Sequence, residues 1–519
     1  PPVSACTFFM KTQDGQTLAG NSEDYYEADT CAVFLPPTKG KYGRVYFGWT
    51  HVWMQGGIND QGLAYDIMAL WPKEHVRPPE GRKRVPGRLG VIRKIMEECA
   101  TVEEALKVMS AHVNPLAGNA NLMLVDAAGG SAIVEGYTVY RRKGPFQICT
   151  NFRWAKVARG KWPCRRYRAA DARLKDAKVT VKVFRDVLRA VHQPLKKGRG
   201  TLYSNIYDLK NLRIYLYLMH DFKRVHIMDV KKELAKGPRV VYLNEYFPDN
   251  PRDAQFRKRY ETARREAYAE AVAKLGPKRK VSTDAGPVLD LALDGDAKDA
   301  GPHGLHGKVT GLKACADRRG KAGAAMAFAG AGGIEIPDHP GLDLSAGDFT
   351  ISMWLKAGAE GMARHQVILD KAARGKLDYW LFLAGGRLEV RFKGKNACLS
   401  APGALTANRW YHVALRQDVK AFRLTLFVDG RERLMTMLHS TPARSGGPLR
   451  LGCSGVLGKG TFYGAMDELR IYQRPLSNAE ISALSGTGKQ RAGRPGGPGT
   501  ASKRDRTRAQ RSRRNGQTE

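Results

Sequence analysis

No stretch of this chain approaches the ~18 consecutive apolar residues of a membrane-crossing helix, which excludes a helical span from the sequence. Acidic residues are scarce beside basic ones. Fifty Asp and Glu against 86 Lys and Arg leave a formal charge of +36. That excess favours anionic partners such as envelope polymers, anionic lipids or nucleic acid, and it concerns association, not fold. Cysteine is thinly spread: Cys6, Cys31, Cys99, Cys149, Cys164, Cys315, Cys398 and Cys453 show no metal-ligand spacing. An exported chain permits disulfides, but no pairing follows from these positions. His51, His112, His192 and His220 lack the four-residue helical spacing of a zinc pair and read as structural. No glycine-rich phosphate loop occurs; Gly129-Gly130 reads as a hairpin turn. An initiator methionine is also missing, from which removal of an upstream segment is expected.

What is present suits folded domains with many turns. The hydrophobic fraction is 43%, with 56 glycines and 26 prolines, and 519 residues suggest about three domains at ~150 residues each. Composition divides the chain into a leader remnant 1–5, a first domain 6–247, a charged helix and linker 248–285, a second domain 286–485 and a basic tail 486–519.

The first domain mixes short strand-like runs (Asn121–Val125, Ser131–Glu135, Gln147–Thr150, Leu212–Leu218, Arg224–Met228) with helical spacing over Leu89–Ser110 and Val181–Val191. This is an α+β pattern. The second domain alternates short strands with Gly, Pro and Asp turns (Phe349–Leu355, Tyr379–Leu383, Leu388–Phe392, Trp410–Arg416, Arg423–Val428, Met466–Tyr472), which predicts an all-β sandwich. Trp354 and Trp410 read as core packing. The tail carries Lys489, Arg491, Arg494, Lys503, Arg504, Arg506, Arg508, Arg511, Arg513 and Arg514 and reads as disordered. It has no interleaved aromatics for base stacking, so a loose tether to an acidic surface is favoured over nucleic acid.

One residue carries chemistry by itself. In Val3-Ser4-Ala5-Cys6-Thr7, the small residues before Cys6 are what signal peptidases require. Cleavage after Ala5 would leave a thiol and a free α-amine on Cys6, a nucleophile with its own base. Their ordinary titrations, near ~7.7–8.0 and ~8.5, make the proton transfer between them nearly thermoneutral. A buried structural cysteine and a lipid-attachment cysteine are the ordinary alternatives, since the same residues fit a lipobox.

Further polar groups recur beside turn glycines: Gly20-Asn21-Ser22-Glu23-Asp24, Gly56-Gly57-Ile58-Asn59-Asp60-Gln61-Gly62-Leu63, Asn121-Leu122-Met123-Leu124-Val125-Asp126, Thr150-Asn151-Phe152, Cys164-Arg165-Arg166-Tyr167 and Thr201–Asp208. In this order, after Cys6-Thr7-x-Phe9, the sequence resembles the linear amide C–N hydrolases of the N-terminal-nucleophile superfamily. That group includes choloylglycine hydrolases, penicillin V acylases and isopenicillin N acyltransferases. The resemblance implies an αββα sandwich with Cys6 as nucleophile and its freed amine as base. It makes Asp24 the orienting acid, Asn151 an oxyanion-hole asparagine, Asn59 a weaker oxyanion or substrate contact, and Arg166 the arginine that polarises the site. Choloylglycine hydrolases have Arg where this chain has Asn21. That marks Asn21 as a substrate-pocket candidate and puts a bile-salt-like substrate in doubt.

The second domain resembles laminin-G-like, concanavalin-like jelly rolls through Phe349–Leu355, Trp410–Ala414, Leu426–Gly430 and Gly464–Tyr472. The expectation is an exported cysteine amide hydrolase or acyltransferase that takes a small N-acyl amide, uses no cofactor, and meets a carbohydrate or acidic envelope polymer through the jelly roll and tail. Asp467 leaves calcium open in the second domain. The competing expectation is a catalytically silent surface adhesion protein, lipid-anchored at Cys6.

Overall fold

The first domain begins with a hairpin. Strands β1 (Thr7–Gln13) and β2 (Gln16–Tyr25) pair from Thr7↔Ser22 to Gln13↔Gln16. The turn residues Asp14 and Gly15 both take positive φ (50° and 73°), the geometry that matches strand twist. Residues 6–49, 54–85, 90–158, 161–196, 198–276, 286–362, 365–373, 376–384, 386–392, 395–399, 405–438, 442–455 and 459–486 are described by the computed structural model. The expected leader 1–5, most of the basic linker and nearly all of the tail lie outside the described residues.

The other strands of this domain are β3 (Thr30–Leu35), β4 (Arg44–Trp49), β5 (Met54–Asn59), β6 (Ala64–Ala69), β7 (Ala120–Val125), β8 (Ser131–Glu135), β9 (Thr138–Arg141), β10 (Phe146–Cys149), β11 (Gly200–Asp208), β12 (Arg213–Leu218), β13 (His226–Asp229) and β14 (Arg239–Tyr242). They build two antiparallel sheets, ordered β10-β1-β2-β11-β12-β13 and β14-β3-β4-β5-β6-β7-β8-β9. Helices α1 (Val91–Glu98) and α2 (Val102–Ala111) cover the second sheet, while α3 (Arg165–Leu174) and α4 (Val181–Val191) cover the first. The layers are α, β, β, α. Strand alternation explains why both faces of β1 are apolar: Phe8 and Met10 enter the core between the sheets, while Phe9 turns out to stack on Phe184 at 5.2 Å. Gly20 on β2 makes room for that ring, since a Cβ there would lie 2.5 Å from Phe9 Cζ.

The single helix expected over Leu89–Ser110 is two. The first ends at Glu98 where Cys99 turns extended, and Thr101 caps the second through a reciprocal box with Glu104, which outweighs the continuous helical spacing.

The second domain is a sandwich of two antiparallel sheets, as expected. One orders Lys313–Cys315, Ala325–Ala329, Tyr463–Tyr472, Phe349–Ala357, Trp410–Asp418, Arg423–Val428 and Arg431–Met437. The other orders Lys308–Thr310, Gly333–Ile336, Leu449–Leu451, His365–Ala373, Lys376–Ala384, Arg387–Phe392 and Lys395–Leu399. Ile351, Met353, Leu355, Val413 and Leu415 meet Leu381, Leu383 and Val390 in its core. Trp354 and Trp410 are not part of that core. They alternate onto the outer face, half-buried, where Arg318 lies over Trp354 at 4.4 Å and Lys356 over Trp410 at 5.1 Å. Asp467 is ion-paired with the same Arg318 at 2.8 Å.

After the short helix α5 (Val230–Ala235), helix α6 (Pro251–Lys274) straps the domains together. Asn250 caps it and Pro251 occupies its first turn. Phe256 enters the first domain's core and Tyr268 the jelly roll's. Beside it, the buried Asp29 accepts from Arg257 at 3.2 Å and from Thr436 Oγ1 and the Met437 amide of the jelly roll, each at 3.1 Å. Removing that carboxylate strands three donors at once. Asp29→Ala should therefore cost about 2–3 kcal/mol in chemical denaturation, and Asp29→Asn less.

Candidate active site

The strand register brings Cys6, just ahead of β1, opposite Glu23 on β2. Cys6 is fully buried, and its Sγ donates to Glu23 Oε2 at 3.0 Å. A polar chain continues inward from there. Asn21, two residues along the same strand face, gives one amide hydrogen to Glu23 Oε1 at 2.9 Å and another to Asp66 Oδ2 on β6 at 2.5 Å. Its Oδ1 accepts from the Asn205 amide at 3.1 Å. Asp66 Oδ1 accepts from the Ile67 amide at 2.6 Å. Gly56, paired with Asp66, leaves space for this carboxyl: a Cβ there would sit 3.2 Å from Asp66 Cγ and 3.0 Å from the Tyr65 carbonyl. The chain Cys6–Glu23–Asn21–Asp66 thus ties the two sheets across the core. Burial, with Asp66 alongside, pushes Glu23 well above the ordinary carboxylate range, and burial raises Asp66 to about 7.

A second set of contacts holds the main chain of Cys6. Arg166, buried in the first turn of α3, donates to the Cys6 carbonyl and to Thr7 Oγ1 at 2.6 Å, and reaches Asn151 Oδ1 at 3.0 Å. Asn151 Nδ2 spends one hydrogen on the Ala69 carbonyl at 2.8 Å, which leaves its other amide hydrogen for a further acceptor. Asp24 accepts from Thr201 Oγ1, while its Oδ2 is buried without a hydrogen-bond partner. Burial raises Asp24 to about 7, against the lowering effects of nearby Arg166 and the Thr201 hydrogen bond. Aromatic rings lie near Cys6: Tyr25 and Tyr203 both feel its sulfur, Tyr25 packs on Trp49 at 4.4 Å, and Trp49 on Tyr203 at 6.3 Å.

The structure brings Cys6, Asn151 and Arg166 into one connected group, with Asp24 beside Arg166. Two residues fall elsewhere. Asn59 donates to the carbonyls of Met96 (3.3 Å) and Cys99 (2.8 Å) and accepts from the amides of Gln61 and Leu63. Every polar atom of that amide ties the end of α1 to the turn after β5, so no donor remains for an oxyanion. Asn21 is buried with its amide fully committed, so it braces the carboxyls and keeps no hydrogen for a substrate. Glu23 and Asp66 are the residues that motif reading passes over. Strand pairing carries the signal for Glu23, because the residue opposite Cys6 in the hairpin is Glu23, with Asp24 one place off.

Residues 4–222 match the family model for acyl-coenzyme A:6-aminopenicillanic acid acyl-transferase, and residues 328–482 match that of the concanavalin A-like lectin/glucanases superfamily. No curated protein matches the chain. Among solved structures, a variant of conjugated bile acid hydrolase from Clostridium perfringens is similar at 16% identity, covering 46% of this chain and 96% of that one with a TM-score of 0.37. The binding domain of Paraclostridial Mosquitocidal Protein 1 is similar at 19% identity and a TM-score of 0.33; the match covers 38% of this chain and spans about half (52%) of that one. Domain 4 of AbnA, an extracellular arabinanase from Geobacillus stearothermophilus in complex with arabinotriose, is similar at 20% identity, covering 39% of this chain and all (100%) of that one at a TM-score of 0.30. By the two family models, residues 4–222 are similar to an acyl-transferase family and residues 328–482 to the concanavalin A-like superfamily.

Proposed function

We propose that the first domain is a cysteine hydrolase or acyltransferase for linear amides, matured by cleavage before Cys6 and working through a thioester. The arrangement around Cys6 carries this reading: its sulfur rests on Glu23 and its carbonyl is gripped by Arg166, inside the region that matches an acyltransferase family. The liberated α-amine takes the thiol proton, and the thiolate attacks the amide carbonyl. Asp24 supports this step, since its orphaned Oδ2 would gain a partner in the new ammonium. The uncommitted amide hydrogen of Asn151 suits the charge developing on the carbonyl oxygen. The ammonium then protonates the leaving amine, and water or a second amine resolves the thioester. The rings of Tyr25, Trp49 and Tyr203 favour an apolar acyl group. The jelly roll serves as a binding module for carbohydrate or an acidic envelope polymer, which suits an exported protein. Among the described residues, no helix is long and apolar enough to cross a membrane.

Intact mass and N-terminal sequencing of the exported protein should find Cys6 as the first residue. A retained leader or a lipid adduct on Cys6 would remove the base and sink the reading. Incubation with N-acyl amides of varied acyl chain should add one acyl group to Cys6, and Cys6→Ala should abolish both adduct and turnover. Asn151→Ala should lower kcat about 10²–10³-fold if the amide serves the oxyanion. Asn59→Ala should instead destabilise the fold by about 1–3 kcal/mol and leave turnover per folded molecule unchanged.

A further inference from the structure

Asp66 has no part in the chemistry just described, yet it lies fully buried at the end of the polar chain that begins on the nucleophile's sulfur. We propose that Asp66 is a positioning residue for Cys6: by sharing one proton with Glu23 beside the Asn21 amide, it keeps Glu23 in its acid form. The thiolate then meets an O–H donor in place of a second negative charge. This rests on reading Cys6 as the nucleophile, and it supplies a neutral donor near the position where the resemblance would place an arginine.

Three observations carry it. First, Asn21 can donate to both carboxyls but cannot neutralise either, and among the described residues no lysine or arginine bonds or ion-pairs with Glu23 or Asp66. Second, the titratable groups facing the pair add no positive charge. They are Cys6 ahead of β1, Cys149 on β10, Tyr65 on β6, and Tyr203 and Tyr207 on β11, and burial holds the Cys149 thiol and the three phenols neutral. Arg166 is turned to the Cys6 carbonyl, Thr7 and Asn151. Two charges side by side in a dry interior are too costly, so the pair retains one proton. Third, the Sγ–Oε2 separation of 3.0 Å serves a thiol donating to a carboxylate or a carboxyl donating to a thiolate.

The proton count closes. When the thiol proton leaves for the α-amine, the shared proton settles on Glu23 Oε2 and points at sulfur. Asp66 then holds the negative charge, solvated by the Ile67 amide and Asn21. The pair carries one negative charge before and after, and no heavy atom needs to move.

The test is a pH titration of the Cys6 thiolate by its ultraviolet absorbance, each protein read against its Cys6→Ser counterpart. Asp66→Asn removes the neighbour that keeps Glu23 protonated. Glu23 then ionises beside the sulfur, and the thiolate fraction at a given pH should fall about tenfold, a midpoint about one pH unit higher. Glu23→Gln, whose amide stays a neutral donor, should not move the midpoint upward, and adding Asp66→Asn to it should change nothing further. Asp66→Ser carries the same comparison should Asp66→Asn fail to fold. An equal shift in both backgrounds, or no shift from Asp66→Asn alone, overturns the assignment. Amide turnover is scored separately. Loss of turnover in the parent protein with this titration pattern intact removes the amidase reading alone, and the reverse removes only the role of Asp66.

Discussion

Two β-sheets pressed face to face leave no water for polar atoms caught between them, so any such atom must find its partner inside. The first domain meets that constraint in part with one continuous chain, from the sulfur of Cys6 through Glu23 and Asn21 to Asp66, while Asp24 Oδ2, Tyr203 Oη and Asn205 Oδ1 stay unmatched. The surrounding architecture follows from it. The glycine at position 56 makes way for a carboxyl, and the pairing of β1 with β2 sets which acid faces the thiol. Only an amide, with two donors and an acceptor, can join two carboxyls and a backbone N–H at once.

Much of the architecture was legible in the residues. Alternation marked the strands, the ordered glycine-flanked motifs pointed to the layered fold, and the spaced turns of the second half pointed to a sandwich. The errors share a cause: motif spacing records which residues are near a site along the chain, but not which face of a strand they take. Glu23 and Asp24 differ by one position, and only the strand pairing shows that Glu23 is the one that meets the sulfur while Asp24 lies beside Arg166. Asn59 sits in a motif that looked functional, whereas its amide fastens a turn to the end of α1. Asp66 stood inside the apolar run Ala64–Ala69 with no local sign of its partner forty-five positions upstream. The extended Cys99 and the capping Thr101 divide a helix that hydrophobic spacing alone would have continued.

The second domain shows the same division. Its core was readable from alternation, but the two tryptophans assigned to it sit on the outer face, each under a cation. Aromatic identity favours burial on average, and a neighbouring Arg or Lys stem can supply that cover without moving the ring into the core. The contact between the domains was the least legible. It depends on Asp29 meeting a strand about four hundred residues later, which no local pattern encodes.

The grip of Arg166 on the carbonyl of residue 6 has a consequence for how this scaffold tolerates chemical change. The guanidinium addresses the peptide unit and leaves the sulfur alone, so the aim of that side chain is set before its element is chosen. A hydroxyl in place of sulfur would inherit the same aim, and what separates an oxygen attacker from a sulfur one in this framework is acidity and softness, with orientation held constant.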